Sequence, residues 1–135
     1  MTLYVKRPVV VKNVVTENFK QQMIEELGNA IKQIEIRLGQ MEFRGRRMIA
    51  EIGKTDQRKV SSLQEELNQE REKQRQLKEE LEYKLAEIEK LQIDQIFISG
   101  VYDSPVKIEV GDKIMEKLSQ AEIIVKDGVV IQIRE

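Results

Sequence analysis

The chain has 135 residues, 35% of them charged and only 4% aromatic, with a formal net charge of −1. It contains no cysteine and no histidine, which excludes disulfides, thiolate metal sites and histidine-based triads or zinc centres. So balanced a charge leaves no global field to pull the molecule onto nucleic acid or membrane, and a composition this polar belongs to long solvated helices.

The opening Met1-Thr2-Leu3-Tyr4-Val5-Lys6-Arg7-Pro8 is broken by charges and a proline before an apolar core of signal length develops. No stretch further on approaches the roughly 20 apolar residues of a membrane span, so a cytoplasmic protein without membrane contact is expected. Residues 9–15, Val-Val-Val-Lys-Asn-Val-Val, are almost all β-branched and predict a strand. Thr16 follows as an N-cap candidate, with Phe19 the first large apolar residue beyond it.

From Thr16 to about Gln92 the apolar period is helical. Leu27, Ile31, Ile34, Leu38, Met41, Gly45, Met48 and Ile52 alternate spacings of four and three, a coiled-coil seam whose one hole is Gly45. The pattern stops at Gly53-Lys54-Thr55-Asp56, where glycine suits a helix C′ position and Thr55 or Asp56 the N-cap of a second helix. A second seam runs through Val60, Leu63 and Leu67, crosses a polar gap at Glu70 and Gln74, and resumes at Leu77, Leu81, Leu85, Ile88 and Leu91. Two nearly equal arms about a capped break predict a hairpin, each arm reaching roughly 50 Å at the helical rise. The rival, one unbroken helix dimerising in parallel, would leave the strand-forming ends at opposite extremes of a rod.

The tail from Ile93 reads as β. Residues 95–101 and 106–110 are strand patterns flanking a turn at Asp103-Ser104-Pro105, and residues 122–125 and 129–134 form a hairpin about Asp127-Gly128. That predicts about five strands, closed as a small sheet or barrel. The expected fold class is thus α+β. A long antiparallel helical hairpin (residues 16–92, turn near 53–56) projects from a small β-domain formed by both termini (residues 1–15 and 93–135).

Little of this chain suggests chemistry. Gly53-Lys54-Thr55 invites a phosphate-loop reading, but Met48 stands where the motif needs its first glycine, and a helix precedes it instead of a strand. Glu65-Glu66 and Glu79-Glu80 are adjacent pairs, which diverge on a helix, so no catalytic, metal-binding or cofactor-binding residue is expected. The exception is a basic constellation: Arg44, Arg46, Arg47, Lys54, Arg58 and Lys59 stand against only Glu51 and Asp56, a local charge of +4. It could attract a phosphate backbone, but a basic run on a coiled coil is more often a solvated face, and aromatics to stack bases are not interleaved with it.

Both ends and part of the helix resemble a known family. Arg7-Pro8-Val9-Val10-Val11-Lys12-Asn13-Val14-Val15-Thr16-Glu17-Asn18-Phe19-Lys20, Met41-Glu42-Phe43-Arg44-Gly45-Arg46-Arg47, and the closing Val110-Gly111-Asp112 with Lys126-Asp127-Gly128-Val129-Val130 are similar to the bacterial YlqD family. The resemblance implies a bacterial protein of uncharacterised function and brings no site residues with it. Three roles suit the reading: a non-enzymatic scaffold that self-associates through its β-domain and binds another protein; an RNA- or ribosome-associated protein using the basic tip; and a prefoldin-like chaperone.

Overall fold

The computed structural model describes residues 1–135, in the order β1 (Thr2–Val14), α1 (Glu17–Gly53), α2 (Gln57–Lys90), β2 (Ile96–Glu109), α3 (Ile114–Leu118), β3 (Ala121–Lys126) and β4 (Val129–Arg134). The fold is α+β: two long helices form a hairpin, and both termini together form one sheet. Two compact units divide the chain, one from Met1–Lys20 with Leu91–Glu135 and one from Gln21–Lys90. No helix is long and apolar enough to cross a membrane.

In the first unit the strand order is β2-β1-β3-β4. β1 pairs antiparallel with β2 along Thr2–Val14 and parallel with β3 only from Val9 to Asn13. β3 and β4 are antiparallel, joined by Asp127 and Gly128 at φ 50° and 81°, the left-handed pair that a tight Asp-Gly hairpin turn requires. The sheet is open, not a barrel, and it has four strands where about five were expected. The turn predicted at Asp103-Ser104-Pro105 does not form, because β2 runs straight through it as Asp103, Ser104 and Pro105 pair with Pro8, Arg7 and Lys6. β2 is an edge strand, where proline's missing N–H can face outward at no cost. β1 likewise starts at Thr2, well before the β-branched run, since it has the whole of β2 to pair with.

Thr16 joins strand to helix. Its Oγ1 accepts the Phe19 N–H at 3.0 Å, capping α1, and donates to Asp127 Oδ1 at 2.6 Å in the β3–β4 turn. Phe19 then meets Phe97 of β2 with ring centroids 5.8 Å apart. Thr16→Ala removes the cap and leaves Asp127 without its donor. The expected loss is about 1–2 kcal/mol, read as a lower urea midpoint at unchanged slope.

In the second unit the α1 seam holds except at Met48, which is exposed: Ile31, Ile34 and Gly45 are buried, with Leu27, Leu38, Met41 and Ile52 half-buried. The reversal does not use a left-handed glycine, for Gly53 is the last helical residue and keeps a negative φ. Instead the Ile52 carbonyl accepts both the Thr55 and Asp56 N–H groups, at 3.0 and 2.8 Å, and Asp56 Oδ1 caps α2 by accepting the Arg58 N–H at 3.0 Å. The seam of α2 departs from expectation in its middle. Arg71, Gln74 and Lys78 face inward, while Glu70 and Leu77 are exposed, Leu77 by 46%. The inward cations have partners across the hairpin: Arg71 pairs with Glu42, and Lys78 with Glu35 at 3.3 Å. Those partners offset the two inward charges, while Gln74 Oε1 lies buried with no hydrogen-bond partner.

Candidate functional site

Two surfaces are candidates, and neither has the form of a catalytic centre. No group of three or more Asp or Glu side chains comes together to hold a metal ion. The only resolved carboxylate shift lies on the sheet: Lys12 donates a hydrogen bond to Glu122 at 2.9 Å, with Arg134 at 3.7 Å. That bond holds the Glu122 carboxyl below the usual carboxylate range against the opposing push of partial desolvation. A depressed folded-state value stabilises the fold above the unfolded carboxyl's range and stops doing so as pH falls through the folded value. Glu122→Gln should therefore lose less stability than wild type between neutral and acid pH; equal losses in urea titrations at the two pH values would contradict this.

This ion cluster shares its side of the sheet with the buried Val10 and Ile124. Register and alternation put Val10, Lys12, Glu122, Ile124, Gln132 and Arg134 on one face. The other carries Val9, Val11, Tyr102, Ile123, Val125, Val130 and Ile133, an apolar stretch bordered by Asn13 at one end and by Arg7, paired with Glu135, at the other. An apolar sheet face needs a second layer over it. Near the sheet's centre Val9 and Ala121 are buried, but Tyr102, Val130 and Ile133 remain 61%, 52% and 66% exposed. Within the first unit sixteen large apolar side chains are exposed against five buried apolar ones, too many to be scattered surface residues.

The basic constellation lies in the second unit. Arg44, Arg46 and Arg47 sit on α1, Lys54 in the reversal, and Arg58 and Lys59 in the first turn of α2; all six are exposed and none enters an ion pair. They do not converge on one point. Arg47 stacks on Phe43 with its guanidinium carbon 6.0 Å from the ring centroid, and Phe43 is 65% exposed. Sequence reasoning passed over that aromatic, although its spacing of four from Arg47 would have marked it.

The chain is similar to known proteins along its whole length. The family model described as YlqD protein matches residues 3–134. A crystal structure of a protein of unknown function from Synechococcus sp. WH 8102 superimposes with a TM-score of 0.87 at 30% identity, covering 100% of this chain and 96% of that one. No curated protein matches.

Proposed function

The chain belongs to the YlqD family, and from that premise we propose that it is a non-enzymatic interaction protein that self-associates by covering the apolar face of its sheet with the same face of a second copy. The observation that carries this reading is the exposure of Tyr102, Val130 and Ile133 on a face that also holds Val9, Val11, Ile123 and Val125. Face packing suits the sheet better than edge addition. Both pairings that involve an edge strand carry a register shift, at Val11/Lys12 against β2 and at Ile124/Val125 against β4. Bulges of this kind blunt an edge against strand addition. A standard interface takes roughly 800 Å² from each copy, which a four-stranded face of this composition can supply. Light scattering on a sizing column should give a mass above 135 residues' worth at micromolar concentration, reduced by Val130→Lys with Ile133→Lys; both positions are exposed, so neither change burdens the fold. A wild-type chain that elutes strictly as a monomer overturns the reading.

A second reading rests on the six cations Arg44, Arg46, Arg47, Lys54, Arg58 and Lys59, exposed and without ion-pair partners beside the stacked Phe43. In this reading they contact an RNA backbone. Arg44→Glu with Arg46→Glu and Arg47→Glu should then abolish a salt-sensitive RNA shift. Absence of any shift by the wild type at low salt removes it.

A further inference from the structure

The two flanks of the hairpin seam are not alike. On one flank Glu35 and Glu42 stand seven residues apart on α1 and reach Lys78 and Arg71, seven apart on α2. Seven residues is close to two turns, so each pair shares one angular position and the ion pairs close that side. The opposite flank is open. There Arg37 and Arg44, again seven apart, rise from α1, and Glu66 and Glu70 rise from α2. No ion pair joins the two rims, and between them lies a groove of about 540 Å³ floored by apolar side chains that include Met48 and Leu63.

We infer that this groove docks the hairpin of a second copy, with α1 of each copy lying over α2 of the other to make a four-helix bundle. Charge decides the occupant. One rim is basic and the other acidic, so a polyanion seated along the groove would meet Glu66 and Glu70 for every arginine it gained. A two-fold axis parallel to the helices instead sets each basic rim against an acidic one. Register supports that pairing: Glu42 is level with Arg71 and Gly45 approaches Leu67, so Arg44 stands level with the interval between Glu66 and Glu70. In the bundle Arg44 lies between the partner's Glu66 and the partner's Glu70. Neighbouring helices are all antiparallel, as in up-and-down bundles. Met48, 49% exposed, meets the partner's Leu63, and methionine's flexibility suits a surface that repacks on docking. This surface is separate from the sheet face, and either can exist without the other.

The chain has no cysteine, so introduced thiols report proximity without background. Met48→Cys in one full-length chain and Leu63→Cys in another cannot bridge within a molecule. Mixed at tens of micromolar under mild oxidation, they should give an interchain disulfide well above that formed by either variant alone. Adding Arg44→Glu to the Met48→Cys chain should lower the yield about tenfold, as rim attraction becomes repulsion. Adding Glu66→Lys with Glu70→Lys to the Leu63→Cys chain should then restore it, which no effect confined to one chain could do. A mixture that crosslinks no more than its components, or a reversed pair that is not rescued, overturns the inference. Self-association through the sheet is judged separately, by whether Val130→Lys with Ile133→Lys lowers the mass on the sizing column while leaving this crosslink intact.

Discussion

Gly45→Leu is expected to cost the hairpin about 1–3 kcal/mol, the range for overpacking a fitted interior. Gly45 is buried in the seam of α1, and a Cβ built on it would stand 2.6 and 3.0 Å from the two methyl carbons of Leu67. Something has to move for any side chain at all. Gly45→Ala sets two effects against each other. Alanine gains about 1 kcal/mol of helix propensity, while the added methyl displaces the tip of a half-buried leucine that has room to turn, so the net change is small. Leucine removes that escape, because its branched end occupies the space Leu67 now fills. The compensating variant Gly45→Leu/Leu67→Ala exchanges the large and small partners across the hairpin and should recover most of the loss. A coupling energy of 1 kcal/mol or more between the two sites, from urea unfolding followed by far-UV circular dichroism, is the expected outcome. If Gly45→Leu alone is as stable as the wild type, the close packing of Gly45 on Leu67 is refuted.

That contact shows what was legible in the sequence. Gly45 stood out as the one gap in a regular seam, but only the register of the two arms reveals that Leu67 fills it. The seam of α1 was readable at every position but the exposed Met48 because its inward residues are apolar. That of α2 was misread in its middle because position, not polarity, decides what faces inward. Arg71 and Lys78 occupy the seam since Glu42 and Glu35 stand level with them on the other arm, a pairing visible only once the reversal is placed. Spacings of seven between like charges on each arm were the available signal. The Asp127-Gly128 turn was read correctly because its chemistry is local. Pro105 misled for the opposite reason. A proline is a turn signal until the strand carrying it is known to be an edge, and that is a property of the sheet. The basic constellation was found by counting, and the structure disperses it over two helices and the reversal. The groove between Arg44 and Glu66 could not be counted, since it joins residues from two arms.

Val15→Asp is expected to unfold the first unit at neutral pH. Val15 is fully buried, at 0% exposure, and its backbone is committed on both sides: its N–H donates to the Gln95 carbonyl and its carbonyl accepts the Asp94 N–H, both at 2.8 Å. Asp94 holds a left-handed φ of 72° to make that second bond, so the Val15 backbone has little freedom to carry a new side chain outward. Val15→Ala, which deletes two methyl groups at this site, should cost about 2 kcal/mol. An aspartate of nearly the same volume costs several kcal/mol instead, because a buried carboxylate with no partner forfeits its hydration, and that rivals the whole stability of a small unit. The sign of its pH dependence is a sharper check than the size of the loss. Burial raises the carboxyl's folded-state pKa above its unfolded value, so the folded state takes up a proton as pH falls and the variant regains stability relative to wild type on acidification. Glu122 behaves in the opposite sense, its contribution fading over the same descent. Val15→Asn introduces a polar group of the same shape that cannot ionise, and its deficit should stay constant with pH. Deficits for Val15→Asp and Val15→Asn that run parallel from neutral to acid pH would mean that Val15 is open to water.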